Sequence, residues 1–353
     1  MKNISAIDLF CGIGGLTHGL IEAGISVVAG IDSDETCKYA FEVNNESTFI
    51  HKDIKKLTGD ELEKLYPAEC TRVLVGCAPC QTFSKHTQKN KSRYEDEKWD
   101  LLYSFTTLTR DVQPEIVSME NVPEITKYDV FTDFVAGLKS LGYKVFWDTV
   151  YCPDYGIPQS RKRLVLLASK LGAIKIIPAT HTRQQYKTVQ DTIGTLEVLA
   201  AGEVSALDPL HRTSTLSDIN IKRISQSKPG GTWMDWDEGL RSPCHKKDSG
   251  RSYSGVYARM SWDSLAPTIT TQFYNYGTGR FGHPEQDRAL SLREGALLQT
   301  FPEDYDFIDP ELPFSIKRIG MHIGNAVPVR LGYIIGKSII EHLEKGRNNG
   351  EEI

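Results

Sequence analysis

Short apolar runs and segments of helical period alternate along the first 180 residues. The runs predict strands at Ile4–Phe10, Ser26–Ile31, Phe49–His51, Arg72–Gly76, Glu115–Met119, Tyr143–Tyr151 and Leu164–Ala168. Helical patterns run to Gly24, from about Glu35 to Val43, and near Leu101–Arg110. Alternating strands and helices are typical of an α/β fold with a mostly parallel sheet.

The pattern changes after residue 180. Residues 181–285 are richer in Gly, Ser, Thr, Pro and Trp and have little helical period, which predicts a second, irregular domain. Ser291 and Glu294 have the spacing of a capping box and predict a helix that ends near Thr300. A last helix is predicted over residues 326–345, with Pro328 in its first turn and Gly346 after it. We therefore expect one domain of residues 1–184 plus 306–353 and a smaller one of residues 185–305.

Composition and charge narrow the class of protein. Of the 353 residues, 40% are hydrophobic and 25% are charged, as in a globular protein. No apolar run is long enough to predict a transmembrane helix, no secretory signal is visible, and seven cysteines without framework spacing favour the reduced cytoplasm. The net charge is −5, yet residues 159–187 contain no acid and residues 84–94 are basic. An acidic body with one basic face suits a polyanion, although a solvated charged surface fits the same pattern.

The first predicted strand runs into a glycine turn at residues 8–15, Asp-Leu-Phe-Cys-Gly-Ile-Gly-Gly. A turn with Gly12, Gly14 and Gly15 between strand and helix lets a ligand approach the backbone closely. The dinucleotide fingerprint needs a third glycine where this chain has Thr17, which argues against a bound pyrophosphate.

Three further residues suggest what the turn would bind. Asp32 follows the second strand at the distance from which an acid grips ribose hydroxyls. Asp53 could accept a hydrogen bond from an adenine amino group, and Phe10 could lie against an adenine face. This pattern indicates an adenosine ligand without pyrophosphate, such as S-adenosylmethionine. A tight turn beside two surface acids is the alternative.

A candidate nucleophile, Cys80, follows the strand Arg72–Gly76, at the strand end where open α/β sheets place their chemistry. Pro79 fixes the backbone before it, and a cysteine thiolate is strongly nucleophilic. Cys77 and Cys80 also form a CxxC pair, which could be a redox pair or half of a zinc site. No second Cys/His pair completes four ligands, so we predict no metal. Cys77 suits a buried structural cysteine.

A carboxylate and two arginines are predicted at the same edge of the sheet. Glu120 ends an apolar strand and can hydrogen-bond the Watson–Crick edge of a base. Arg161 and Arg163 point to one face of an extended segment and suit a carbonyl oxygen or a phosphate. Each residue alone could equally form a surface salt bridge. Together with the thiol and the glycine turn, they favour a site.

Eight motifs follow one another along the chain: Asp8–Gly15, Ala78–Gln81, Glu120–Val122, Gln159–Arg163, His283-Pro284, Arg293-Glu294, Gln299–Pro302 and Gly324–Pro328. In their sequence and order they resemble the motifs of the DNA (cytosine-5) methyltransferase family, and the resemblance covers most of the chain outside about residues 181–250. Two positions depart from the family pattern. Ser33 stands where relatives often have an aromatic residue beside adenine, and Ala78 replaces the first proline of Pro-Pro-Cys.

The resemblance implies a Rossmann-like, S-adenosylmethionine-dependent enzyme that flips a target cytosine out of double-stranded DNA. Cys80 would attack C6, Glu120 would bond N3 and the exocyclic amine, and Arg163 with Arg161 would hold the O2 side. The cofactor would be held without any metal by Phe10, Gly12, Gly14, Gly15, Asp32, Asp53, Pro79, Asn325 and Val327.

The resemblance also implies where DNA is contacted. The basic loop Lys85–Arg93 would close over the DNA, and residues 185–305 would form a target-recognition domain and hinge. Its expected contacts are Trp233, Trp236, Lys246, Lys247, Arg251, Tyr253, Arg259 and Tyr274. Further contacts are expected at Gln81, Ser84, Lys85, Lys89 and Thr270. The compact length predicts a bacterial-type cytoplasmic enzyme, either a solitary methylase or part of a restriction–modification system whose endonuclease acts separately. A monomer is expected because a single asymmetric recognition domain needs no partner.

Three other functions are open at the level of sequence. The transfer-RNA-methylating branch of the same family would share the chemistry, and the long recognition region favours DNA. A nucleic-acid-binding protein without catalytic activity would not need Cys80, Glu120 and both arginines. A nicotinamide dehydrogenase would use the glycine turn, but Thr17 and Cys80 argue against it.

Overall fold

A seven-stranded sheet organises the first part of the chain and confirms the predicted α/β class. The computed structural model describes residues 3–79, 94–247 and 255–348, with side chains for all of these except 94–99 and 347–348. The strands are β1 (Ile4–Leu9), β2 (Ser26–Asp32), β3 (Thr48–His51), β4 (Thr71–Gly76), β5 (Ile116–Asn121), β6 (Lys144–Tyr151) and β7 (Lys162–Ser169). Their order is β3-β2-β1-β4-β5-β7-β6.

The sheet is mostly parallel, as predicted. Strands β1 to β5 pair in parallel, whereas β7 runs antiparallel to both β5 and β6. The carboxyl ends of β1, β2, β4 and β5 therefore meet at one edge, which is where an open α/β sheet binds ligands.

Helices alternate with these strands and continue along the rest of the described chain. They are α1 (Gly15–Ala23), α2 (Lys38–Asn45), α3 (Gly59–Glu63), α4 (Tyr94–Val112), α5 (Asp129–Ser140), α6 (Val189–Ile193), α7 (Asp218–Gln226), α8 (Leu292–Leu298), α9 (Ile316–Asn325) and α10 (Val329–Asn348). The capping box of Ser291 and Glu294 is present at the start of α8, as predicted. No helix in the described ranges has the length and apolarity that crossing a membrane requires.

The end of the chain differs from the prediction. The last helix begins at Val329, directly after Pro328, and Gly346 lies within it instead of ending it. A separate helix, α9, precedes it and was not predicted. Its two glycines, Gly320 and Gly324, have low helix propensity, but the tertiary structure needs them because Cβ atoms there would collide with neighbouring groups.

The chain forms two compact units. The first comprises residues 1–151, 162–180 and 327–353, and the second comprises residues 152–161 and 181–326. Residues 306–326, which we expected in the larger domain, lie in the second unit, as does the short segment 152–161. The functional division of the chain stays a prediction.

The first unit has its core where helices cover the sheet. Leu74, Val117 and Leu166 on the strands pack with Phe105 of α4 and Phe134 of α5, and all five are at most 1% exposed. Parallel strands buried on both faces have this near-continuous apolar sequence.

The second unit has a smaller core of aromatic residues. Trp233 and Trp236 are each 2% exposed and cluster with Tyr276. Arg259 is 4% exposed and donates to the backbone carbonyls of His283 and Ile224. The prediction that Trp233, Trp236 and Arg259 contact DNA is therefore wrong, because these side chains are buried in the core of this unit.

A buried ion pair also stabilises the second unit. Arg288 donates two bonds to the Glu294 carboxylate, at 2.8 and 2.7 Å. Burial alone would raise the pKa of Glu294, but the Arg288 guanidinium lowers it to about 2. Burial lowers the pKa of the neighbouring His283 to about 4, so this histidine is neutral at pH 7. The motif residues His283 and Glu294 are thus structural.

Candidate active site

The glycine turn after β1 has the backbone geometry of a ligand-binding turn. Phe10 and Gly12 have positive φ values of 61° and 51°, and Gly14 (φ 87°) caps α1. A Cβ atom added at Gly12 would lie more than 4 Å from every non-neighbouring heavy atom among the described residues. The space above Gly12 is therefore open to a ligand, and Gly15 begins the helix that follows.

The Asp32 carboxylate is fixed beside this turn. Its Oδ2 accepts from the backbone N–H of Gly12 at 2.9 Å, and its Oδ1 accepts from that of Asp34 at 2.9 Å. A carboxylate oxygen can accept more than one hydrogen bond, so both oxygens can still take ribose hydroxyls. Asp53 is half-buried after β3, where its Oδ1 accepts from the N–H of Lys55 at 3.0 Å.

A second acid, Asp8, lies beneath the turn. It is 1% exposed, and its Oδ2 accepts from the Thr17 hydroxyl at 2.7 Å. Burial raises the pKa of Asp8 to about 7, with Asp32 adding a smaller repulsion. Thr17 therefore hydrogen-bonds the acid at the end of β1, which explains why this position is not a glycine.

The candidate nucleophile Cys80 lies outside the described residues, as do Gln81, Ser84, Lys85 and Lys89. The chain is described up to Pro79, which is exposed, while Ala78 before it is buried. The Nδ2 of Asn121 donates to the Ala78 carbonyl at 3.1 Å and ties the end of β5 to the segment that leads to Cys80.

Glu120 lies at the carboxyl end of β5 and is 2% exposed. Its Oε1 is 2.8 Å from Nε of Arg163 on β7. Its Oε2 accepts from the Cys77 thiol at 2.8 Å. Register explains the first contact, because Glu120 pairs with Val165 in the antiparallel ladder and Arg163 lies two residues away on the same face. The predicted acid and one of the predicted arginines are thus in direct contact.

The remaining site residues are divided between the units. In the second unit, Arg161 is buried and its Nη1 donates to the Ile269 carbonyl at 3.2 Å, next to the exposed Thr270. Asn325 is exposed at the end of α9 in that unit, whereas Val327 is buried in the first unit.

Gln159 and Gln299 hold the second unit together around these residues. Gln159 Oε1 accepts from the Ile269 N–H at 3.0 Å, and its Nε2 donates to Gln299 Oε1 at 2.8 Å. Gln299 in turn donates to the Ile323 carbonyl at 2.8 Å. The two motif glutamines are thus structural, and they position the backbone just before Thr270 and near Asn325.

Sequence reasoning missed two contacts of the candidate site. The Cys77 thiol on Glu120 was not foreseen, because a cysteine in a CxxC pair has several more common uses. The bond between Asp8 and Thr17 was also missed, although an acid before the glycines and a hydroxyl two residues after them were visible signals.

Comparison with known proteins places the chain. A family model of C-5 cytosine-specific DNA methylases matches residues 4–341. The Type II methylase M.HgiDII of Herpetosiphon aurantiacus is 56% identical over 343 residues, with 96% of each chain covered. The Type II methyltransferase M.Sau96I of Staphylococcus aureus is 27% identical, covering 98% of this chain and 77% of the other. The crystal structure of the S. pombe Dnmt2 methyltransferase has the same fold, with a TM-score of 0.67 at 17% identity over 97% of this chain and 99% of that one. The chain belongs to the C-5 cytosine-specific DNA methylase family.

Proposed function

We propose that the chain transfers a methyl group from S-adenosylmethionine to C5 of cytosine in double-stranded DNA, as the modification enzyme of a Type II restriction–modification system. The observation that carries this proposal is the Glu120 carboxylate, buried at the end of β5 between Arg163 and Cys77 and linked through Asn121 to the segment before Cys80. The system is inferred from relatives that are named Type II methylases.

The glycine turn fits the cofactor. Asp32 would take the ribose hydroxyls, Phe10 and Asp53 would contact the adenine, and Gly12, Gly14 and Gly15 would leave room for the methionine portion. Pro79, Asn325 and Val327 would complete the site. S-adenosylmethionine supplies an electrophilic methyl group when it is bound there.

Cys80 and Glu120 would activate the flipped base together. The Cys80 thiolate forms a bond to C6, and the electron pair displaced from the C5–C6 double bond moves into the ring. One oxygen of Glu120 accepts a hydrogen bond from the exocyclic amine, and a proton shared between its other oxygen and N3 stabilises the negative charge that the attack places on the ring. The attack makes C5 nucleophilic. C5 would then take the methyl group of the bound cofactor, and the electron pair of the broken sulfur–methyl bond would stay on the cofactor's sulfur.

The cycle closes when the methylated base is released. Water would take the C5 proton, the electron pair of the broken C–H bond would form the C5–C6 double bond again, and the C6–sulfur bond would break with its electron pair returning to the Cys80 thiolate. No redox change occurs, and no metal enters the scheme.

The arginines have separate roles in this proposal. Arg163 orients Glu120 through Oε1 and supports the O2 side of the base. Arg161 holds the Ile269 backbone, and with it the Thr270 segment, as a DNA contact of the second unit. Gln81, Ser84, Lys85 and Lys89 would contact DNA beside Cys80. The protein would act as a monomer, and the endonuclease would act separately.

A trapping experiment tests the proposed chemistry. Fluorine at C5 cannot leave as a proton, so duplex DNA with 5-fluorocytosine in place of cytosine keeps the Cys80–C6 bond after methyl transfer. We expect a protein–DNA band on denaturing gels that requires S-adenosylmethionine and is lost in Cys80→Ser. The band should be kept in Cys70→Ala, which removes a half-buried thiol just before β4. A band that persists in Cys80→Ser would remove Cys80 as the nucleophile.

A further inference from the structure

Cys77 has a contact that the proposed reaction does not yet use. It follows β4 directly, and its backbone N–H donates to the Leu9 carbonyl at the end of β1. Its thiol donates to Oε2 of Glu120 at 2.8 Å. The sulfur is thus directed at the carboxylate that would bind the base.

The two oxygens of Glu120 have different partners on different elements. Arg163 of β7 approaches Oε1, and Cys77 of the segment after β4 approaches Oε2. A carboxylate that is 2% exposed needs such partners, because burial without them is costly. Within the described ranges, the charged group that forms an ion pair with Glu120 is the Arg163 guanidinium.

The two partners differ in strength. The guanidinium is a permanent charge with rigid geometry, whereas a thiol is a weak donor. With Arg163 as its one partner, the Glu120 carboxylate could still rotate about the Cγ–Cδ bond. A second contact at Oε2 fixes the plane of the carboxylate, and it does so without adding a charge.

We propose that Cys77 is a positioning residue that fixes the Glu120 carboxylate in the orientation that receives the cytosine. This inference rests on the proposed role of Glu120. Oε2 can accept a second hydrogen bond, so the amine of the base can bind while the thiol stays in place. A weak donor also leaves Oε2 able to accept strongly from the amine of the base.

The kinetic test compares two substitutions at position 77. Cys77→Ala removes the donor, and Cys77→Ser keeps a donor of nearly the same size. We expect Cys77→Ala to lower the single-turnover rate of methyl transfer by about tenfold, the effect of one hydrogen bond, with KM for DNA changed less than twofold. Cys77→Ser should restore the rate to within about threefold of the parent protein.

Two controls exclude a general loss of structure. Cys70→Ala removes a half-buried thiol at another place in the first unit and should leave the rate unchanged. All three cysteine variants should unfold cooperatively and bind S-adenosylmethionine as the parent protein does, and Cys77→Ala alone should unfold at a slightly lower temperature because the buried Glu120 carboxylate loses a partner. Equal loss of rate in Cys77→Ala and Cys77→Ser would overturn the positioning role.

A spectroscopic measurement tests the contact without any turnover. The S–H stretching band of Cys77 is assigned as the infrared band that is lost in Cys77→Ser. In Glu120→Gln we expect this band to move to higher frequency, because a neutral amide oxygen is a weaker acceptor than a carboxylate. A band that keeps its frequency in Glu120→Gln would contradict the hydrogen bond.

The two levels of the proposal fail differently. If Glu120→Gln methylates DNA at the rate of the parent protein, the role of Glu120 in the proposed function is wrong. If Glu120→Gln is impaired while Cys77→Ala behaves like the parent protein, only the role of Cys77 is wrong.

Discussion

Two acids at neighbouring strand ends have opposite surroundings. Asp8, at the end of β1, is buried with the Thr17 hydroxyl on one oxygen, and burial raises its pKa to about 7. Asp32, at the end of β2, is half-buried and receives a backbone N–H on each oxygen. Burial favours the neutral acid at Asp8, whereas Asp32 keeps an accessible part that can accept hydrogen bonds from hydroxyl groups.

The buried Asp8 makes stability depend on pH. The folded chain holds this proton up to about pH 7, whereas the unfolded chain releases it near the ordinary value of 3.8. The stabilisation is complete below about pH 4 and is lost as the pH rises through about 7. The parent protein should therefore lose stability relative to Asp8→Asn over this range, by at most about 1.4 kcal/mol per pH unit.

Urea unfolding of the parent protein and of Asp8→Asn at several pH values measures this pH-dependent difference in stability. His283 and Glu294 titrate alike in the two proteins, so their contributions cancel in the difference. A difference in unfolding free energy that is the same at pH 4.5 and pH 8 would show that Asp8 is already ionised in the folded chain.

The Asp32 carboxylate should dominate ribose binding. Asp32→Ala is expected to weaken S-adenosylmethionine binding at least about tenfold in calorimetry, because hydrogen bonds to a charged acceptor are worth about 1.5–3 kcal/mol. Asp60→Ala, an exposed acid on α3, is the matched control and should bind normally. Unchanged affinity in Asp32→Ala would refute the ribose role.

At the scale of elements, α1 and α10 pack through glycine. A Cβ atom at Gly19 of α1 would lie 2.1 Å from the Val329 carbonyl oxygen and 2.4 Å from the Tyr333 nitrogen. Since α1 begins at the glycine turn, this close contact between backbones holds the helix that carries the candidate cofactor site.

Gly19→Ala should therefore destabilise the protein. The added methyl group would clash with backbone atoms, which costs about 3 kcal/mol. Alanine has a better helix propensity than glycine by about 1 kcal/mol, so the free energy of unfolding should fall by about 2 kcal/mol in all. Denaturant unfolding measures it. Gly239→Ala is the control, because a Cβ atom there meets nothing within 4 Å of the described residues. Equal stability of the two variants would argue against the packing.

The elements also show what the sequence could predict. Strands such as Ser26–Asp32 and Ile116–Asn121 are apolar runs with polar residues at their ends, so the sheet and its active edge could be predicted. The helix α9 could not, because its glycines serve contacts distant in sequence. Trp233 and Trp236 were placed on the surface for a related reason: an irregular domain has no periodicity to distinguish its core from its exposed face.

At the scale of the whole molecule, charge is unevenly distributed. The net charge is −5, and yet residues 159–187 carry seven basic residues and no acid. A protein with a negative net charge binds a polyanion through locally basic segments such as this one.

DNA binding should accordingly weaken steeply with salt. With about six phosphate contacts, the affinity for duplex DNA should fall on the order of 10³-fold between 50 and 200 mM salt, because neutralised phosphates release counterions. Fluorescence anisotropy measures this, and S-adenosylmethionine binding over the same range is the internal control. An affinity for DNA that is independent of salt would contradict a basic DNA-binding surface.

The most direct measurement identifies the product. Unmethylated plasmid DNA is incubated with the protein and S-adenosylmethionine, digested to nucleosides and analysed by mass spectrometry, with Cys80→Ser and transfer RNA in parallel. The account predicts 5-methyl-2′-deoxycytidine from the parent protein and none from Cys80→Ser. Methylation of transfer RNA alone, or no methylated deoxycytidine from a protein that binds the cofactor, would contradict it.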